Sequence, residues 1–279
     1  MTKESLSFVP LIESALDFYK DLEKDLDSTQ KVIFNKLFSN LEAFNILFCG
    51  YEHFNEAKII LRSAIESLVL FCYLTKFADK QARYIQDCEM IRFKNHFIAY
   101  KDYKESFKYP CLHETLMQFD ETKMIKENEK FFEFLQPENK KIILQKLKIS
   151  EYQLNQNTFE KLDKFFTYGF RPFFMKLEDM YKEISTFTDD VSFELREMLF
   201  KQYNEYSQIT HGDLFQWTNK SLKFSTNDTI LVFSTIKRII LLPYLICKDN
   251  GMVVNETMLM ALKSELDKID KILLEDKND

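Results

Sequence analysis

Two charged residues lie four positions apart in a long, mostly apolar stretch of the chain, Glu56 to Phe77. They are Arg62 and Glu66, and on a helix this spacing puts them on one face, with Tyr73 eleven residues beyond Arg62 on the same side. A charge in an apolar helix is costly unless it is paired. We therefore expect another part of the chain to supply partners, and an arginine held in this way could bind or stabilise an anion.

A second polar set lies far downstream, in YNEYSQITHG from Tyr203 to Gly212. Tyr203, Ser207 and His211 follow one another at four-residue steps, with Tyr206 beside them. His211 falls in the last turn, where the carbonyl end of a helix favours imidazolium, and the glycine after it is a natural stop. A histidine held there titrates near neutrality and could transfer a proton.

Each set also has a structural interpretation. His211 can simply close its helix, and Arg62 with Glu66 can be a buried ion pair that fixes helix register. When arginine precedes glutamate by four residues, a surface pair stabilises a helix less than the reverse order does. A salt bridge within this helix alone is therefore a weak explanation for the two charges. We predict that Arg62 or Glu66 lies within hydrogen-bonding reach of the polar residues of the second stretch, and that both stretches form one centre.

Other catalytic motifs do not appear. The sequence has no H-E-x-x-H, no phosphate-binding glycine loop and no G-x-S-x-G, so it gives no support to metal-dependent hydrolysis, nucleotide chemistry or serine hydrolysis. His53, His96 and His113 stand apart from other ligand types, and the five cysteines contain no C-x-x-C. We expect no cofactor, no metal site and reduced thiols.

The net charge and the hydropathy of the chain limit the classes of partner that we expect. A net charge of −6 excludes a global basic field for nucleic acid and leaves a local basic pocket open. Ile230–Cys247 is the most membrane-like stretch, but Lys237 and Arg238 at its middle would each cost roughly 2.5–3.5 kcal/mol in a bilayer. We expect a buried helix there, no membrane partner and, since the N-terminus does not resemble a signal peptide, a cytoplasmic location.

The two motifs carry a resemblance. L-R-S-x-x-E-S-x-x-x-x-x-Y-L at Leu61–Leu74, followed by Y-x-x-Y-S-x-x-x-H-G at Tyr203–Gly212, looks like a family of uncharacterised bacterial helical proteins. More distantly, a helical bundle with a histidine closing a late helix is similar to HEPN proteins, many of which are metal-independent ribonucleases in toxin–antitoxin and antiphage systems. The resemblance covers about a tenth of the chain.

The chain departs from the HEPN signature of an arginine four to six residues before the histidine. Those positions hold Asn204, Glu205 and Tyr206, so Arg62 would have to supply the arginine. The resemblance implies a defence- or toxin-type protein that cleaves RNA with His211, Arg62, Tyr203 and Ser207, while Glu66, Tyr206 and Tyr73 help to bind. It also implies a cognate antitoxin or defence partner and a homo-oligomer.

The alternative is a non-catalytic helical sensor or scaffold that binds a partner protein or a small ligand. Its polar cluster would be structural, sealed and fully hydrogen-bonded. A cleft of positive potential around His211 would instead favour the nuclease.

The elements that position these residues are all helical. Only four Gly and five Pro in 279 residues favour long helices joined by short loops. We predict one all-α domain over 1–279, with a more mobile insertion or lid at 109–158, a helix capped by Ser28 or Thr29, and a central helix over Glu56–Phe77. The last helix, 255–274, carries an apolar stripe from Met258 to Leu273 that suits either intramolecular packing or a dimer seam. The other expected helices cover 8–26, 81–108, 140–147, 189–212 and 230–247.

Overall fold

A computed structural model of the chain describes residues 9–50, 53–106, 108, 120–171, 177–184, 190–198, 202–204, 206, 207 and 226–275. Most residues in these ranges are helical and none of them forms a β-strand, which confirms the all-α fold class. The helices are α1 (Val9–Leu22), α2 (Ser28–Asn45), α3 (Phe54–Lys76), α4 (Gln81–Ser106), α5 (Glu121–Glu133), α6 (Pro137–Leu147), α7 (Gln156–Lys164), α8 (Leu177–Ile184), α9 (Asp190–Met198), α10 (Thr226–Asp249) and α11 (Glu256–Glu275).

The chain divides into two compact units, 1–79 with 176–279, and 80–175. The 80–175 unit contains the whole of the predicted insertion at 109–158, and its first helix is α4. The prediction of one domain over 1–279 stays a prediction, and each unit is described separately below.

Helix α3 is the central element of the first unit. It packs against α2, α8 and α10, as expected from its nearly all-round apolarity. Ten of its side chains are at most 1% exposed: Ala57, Leu61, Ala64, Ile65, Leu68, Val69, Phe71, Cys72, Tyr73 and Leu74. The burial predicted for 56–77 is therefore confirmed, except along one stripe that includes Arg62 and Glu66 and is only half-buried.

The cap of α2 differs from the sequence prediction. Asp27, rather than Ser28 or Thr29, is the N-cap, and its carboxylate accepts hydrogen bonds from the backbone N–H of Thr29 and Gln30. The backbone N–H of Asp27 in turn donates to Oε1 of Gln30, which completes a capping box. The Asp27 carboxylate therefore takes the capping role that the sequence assigns to the hydroxyl of Ser28 or Thr29.

Helix α10, like α3, is long and strongly apolar. It is long and apolar enough to cross a membrane, but 61% of its apolar stretch is buried against the chain's own residues. Pro243 lies inside it, and the helix ends before Gly251, whose φ of +77° suits a glycine stop. The same length and composition are found in core helices, and the packing of α10 on α3 and α9 accounts for them here.

Helix α11 packs against α1. Its inward residues are Leu259, Leu262 and Leu266, whereas Met258 is 37% exposed, so the predicted stripe was wrong at its first position by one residue. Leu262 and Leu266 are already buried within one chain, and the stripe therefore gives no argument for a dimer seam.

The second unit has an aromatic core of its own. Residues from α4 to the π-helical turn Phe165–Gly169 contribute, and Phe93 touches the rings of four other side chains at centroid distances of 5.8–6.3 Å. Helix α6 begins at Pro137, earlier than the predicted 140, because proline suits the first turn. The described part of the expected insertion therefore packs through short helices, each of which buries a few residues. Helices this short give too few apolar positions for a periodic pattern to be recognised in the sequence. Residues 109–119 lie outside the described ranges.

Candidate functional site

Helix α3 fixes the two charged residues of the first motif at the edge of the core. Leu61, Ile65 and Leu68 anchor one side of the helix with no exposed surface. Arg62 and Glu66 lie one turn apart on the neighbouring half-buried stripe, where their side chains are 20% and 43% exposed. The strongly apolar face of α3 therefore sets the direction of both polar side chains.

Tyr203 of the second motif meets both of them. Nη2 of Arg62 donates a hydrogen bond to the Tyr203 hydroxyl at 3.3 Å, and that hydroxyl donates to Oε1 of Glu66 at 3.1 Å. Nε of Arg62 lies 3.3 Å from the same carboxylate oxygen, and the guanidinium carbon is 5.2 Å from the centre of the tyrosine ring. We call these three residues the Arg62 centre. The predicted contact between the two stretches is confirmed.

The Arg62 centre is neither sealed nor fully hydrogen-bonded. Among the described residues, Nε of Arg62 and Oγ of Ser207 are buried atoms without a hydrogen-bond partner. Glu66 neutralises much of the guanidinium charge, while its own 43% exposure leaves one side of the centre open to solvent. The carboxylate side of the centre is therefore accessible to solvent, whereas Nε of Arg62 is buried against it.

The segment 202–207 is held to α10 as well as to α3. The Tyr206 hydroxyl, which is fully buried, lies 3.2 Å from Oγ1 of Thr235, and that hydroxyl donates to the carbonyl of Leu231 at 2.8 Å. With its side-chain amide in the orientation that satisfies both neighbours, Gln202 donates to the carbonyl of Met198 at 3.3 Å and accepts from Nη1 of Arg238 at 3.0 Å. Tyr206 thus holds the segment to α10 through Thr235, and its hydroxyl does not reach Arg62 or Glu66.

Tyr73 does not join the Arg62 centre. Eleven residues along a helix advance about 16 Å, so a shared face does not bring the two side chains together. Its hydroxyl donates to Oε2 of Glu183 on α8 at 2.6 Å. Burial, and then this hydrogen bond, raise the pKa of Tyr73 far above its usual value.

His211 and Gly212 lie outside the described residues. The proton-transfer role of His211 is therefore still a prediction, and so are the roles assigned to Ser207 and Tyr203.

The structure contains a second polar cluster that the motifs of the sequence do not predict. Nε of Arg238, in the middle of α10, donates to Oε2 of Glu194 on α9 at 2.7 Å, and Nη1 donates to Oγ of Ser234 at 2.5 Å. In the sequence, Arg238 bears only on the cost of a membrane span. The reasoning applied to Arg62, that a charge in an apolar helix needs a partner, predicts this pair equally well.

Metal binding finds no support in the part of the chain that the structure describes, since no three His, Cys, Asp or Glu side chains there could share an ion. Comparison of the chain with protein-family models, with curated proteins and with solved structures gives no match. The function must therefore be argued from the residues.

Proposed function

We propose that this is a helical protein of the toxin or defence type that cleaves RNA without a metal, with the Arg62 centre as its phosphate-binding part. The 2′-hydroxyl attacks the adjacent phosphorus, the 5′-oxygen of the next nucleotide leaves, and a 2′,3′-cyclic phosphate remains. In this proposal Arg62 stabilises the charge of the phosphorane, Tyr203 and Ser207 orient the phosphate, and His211 transfers the proton.

The observation that carries the proposal is the half-open contact between the two motifs. Arg62 is held by Tyr203 and Glu66, yet its Nε has no hydrogen-bond partner among the described residues. The Ser207 hydroxyl, on the same segment as Tyr203, is likewise unpartnered there. A guanidinium that its neighbours hold in place, in an ion pair with one side open to solvent, suits a site that stabilises developing charge.

A second function, a helical sensor or scaffold, is favoured by a different observation. Glu66 pairs with Arg62 at 3.3 Å, and the Tyr203 hydroxyl links the two. In this interpretation the centre only locks the 202–207 segment onto α3, and a partner protein or small ligand binds elsewhere.

The test is RNA cleavage by the purified protein in the presence of a chelator, beside the variants Arg62→Ala and His211→Ala. The nuclease proposal predicts products that end in a 2′,3′-cyclic phosphate and a loss of at least about 100-fold in rate for either variant. Thermal melts serve as the control. Because Glu66 is 43% exposed, Arg62→Ala should cost only about 1–2 kcal/mol of folding free energy, less than a fully buried pair would.

Cleavage by neither the wild type nor a variant, with Arg62→Ala lowering only stability, would support the scaffold. Cleavage that disappears when the chelator is added would contradict the proposed metal-independent step.

A further inference from the structure

The two units differ in charge. Residues 80–175 hold 17 Lys and Arg against 14 Asp and Glu, a net charge of +3, whereas the remainder of the chain carries −9. The positive excess is concentrated at α6 and the residues that follow it. The segment 137–150 has four lysines and a single acidic residue, Glu138.

Helix α6 presents these lysines outward because its other face is fixed. Ile143 and Leu147 are fully buried, and the side-chain amide of Asn139 donates to the carbonyl of Gln86 and to Oε2 of Glu89 on α4. The outward face borders a groove of about 610 Å³ within this unit.

The groove is lined by both aliphatic and cationic side chains. Pro137, Leu144 and Ile149 are its apolar lining residues, and Lys140, Lys141 and Lys148 are its cationic ones. None of these three lysines pairs with a carboxylate of the described residues, although the unit contains many carboxylates. We call this surface the lysine groove.

The backbone at Lys148 adds a second observation. Lys148 ends α6 with φ 55° and ψ 53°, a left-handed conformation that favours glycine. A lysine at that position costs backbone energy, so the fold alone does not account for the side chain.

We propose that the lysine groove binds an acidic, amphipathic helix of a partner protein. Carboxylates of such a helix would meet the three lysines, and its apolar side would cover Pro137, Leu144 and Ile149. Nucleic acid fits less well, because none of the residues that line the groove is an aromatic side chain on which a base could stack. This surface is separate from the Arg62 centre, and the proposal does not depend on RNA cleavage.

The test is fluorescence anisotropy of the full-length protein with a labelled 18-residue peptide that carries leucines along one face of a helix and glutamates on both flanks. A scrambled peptide of the same composition and a single-stranded oligouridylate are compared under the same conditions. We expect saturable binding of the amphipathic peptide, at least about tenfold weaker binding of the scrambled one, and weakening as salt increases.

Three variants locate the binding surface. Lys140→Glu/Lys141→Glu/Lys148→Glu should weaken peptide binding by about tenfold or more, while the matched triple variant Lys123→Glu/Lys126→Glu/Lys164→Glu, on exposed lysines of the same unit, should change it by less than about threefold. Lys148→Gly should weaken binding and raise thermal stability together, which excludes unfolding as the cause.

Several outcomes would overturn the proposal: no saturation by the peptide, equal binding of the scrambled peptide, equal losses in the two triple variants, or tighter binding of the oligouridylate. The last result would identify the groove as a nucleic-acid surface.

Discussion

Tyr203 joins the two polar stretches through one hydroxyl group, which accepts from Arg62 and donates to Glu66. We expect Tyr203→Phe to lower the free energy of unfolding by about 1 kcal/mol, below the usual range for hydrogen bonds to charged groups because Glu66 is 43% exposed. Urea unfolding measures this change. Tyr168→Phe is the matched control, since the Tyr168 side chain is 80% exposed, and it should stay within about 0.5 kcal/mol of the wild type. Equal effects of the two substitutions would contradict the role of this hydroxyl.

Buried acidic groups make the fold sensitive to alkali. Burial raises the pKa of the Cys247 thiol to about 12, and it also raises the pKa values of Cys72 and Tyr19. Above a pH of about 9 the unfolded chain loses protons that the folded chain retains, so stability must fall as pH rises from about 9 to about 12.

Urea unfolding at pH values between 7.5 and 10.5 tests this expectation. Cys247→Ala removes one of the groups and should give a shallower decline, by at most about 1.4 kcal/mol per pH unit. A stability that is constant or increases over this range would show that these groups are not buried as described.

At the scale of the elements, the capping box of α2 gives a direct comparison between two neighbouring residues. Asp27→Ala removes the acceptor of two backbone N–H groups and should cost about 0.5–2 kcal/mol, whereas Ser28→Ala should be nearly neutral. Thermal or urea unfolding of both variants decides which residue is the cap. A larger loss for Ser28→Ala would restore the assignment made from sequence.

The sequence predicts helices well where a long apolar pattern exists, as in α3 and α10. It predicts boundaries less well, because Asp27, Ser28 and Thr29 are all good capping residues and only the backbone decides among them. Short helices such as α6 and α7 contribute two or three buried residues each, so their packing depends on partners distant in sequence.

The sequence also predicts part of the candidate site. The energetic cost of an unpaired buried charge was enough to predict the contact between Arg62 and Tyr203. The same argument could not show that Tyr73 bonds to Glu183 or that Tyr206 lies beside Thr235. The partner of a buried hydroxyl depends on how the helices pack, and many polar residues are plausible partners.

For the whole molecule, the two units should respond separately to damage in their cores. Phe93 and Phe71 are each fully buried, Phe93 in the 80–175 unit and Phe71 in α3. Phe93→Ala should cost about 3–5 kcal/mol and reduce hydrogen-exchange protection in α4 to α7, while α2 and α3 keep theirs; Phe71→Ala should do the reverse.

Hydrogen exchange followed by mass spectrometry resolves these segments. Uniform loss of protection across all helices in both variants would support the single cooperative domain predicted from the sequence.

Assembly is a separate property of the whole molecule. The homo-oligomer predicted from the sequence rested partly on the stripe of α11, which packs against α1 within one chain. Two-fold dimers are nevertheless the commonest assembly, so we retain the prediction. Light scattering over a wide concentration range tests it, and a mass that stays at 33.5 kDa would refute it.

The charge-swapped variant Arg62→Glu/Glu66→Arg tests the central claim most directly, because it keeps an ion pair on α3 but moves the guanidinium by one turn. Measured beside the wild type, it should remain folded, with a melting temperature within a few degrees, and should lose RNA cleavage by at least about 100-fold. A folded, charge-swapped protein that cleaves RNA as fast as the wild type would contradict the claim that the Arg62 guanidinium binds the reacting phosphate.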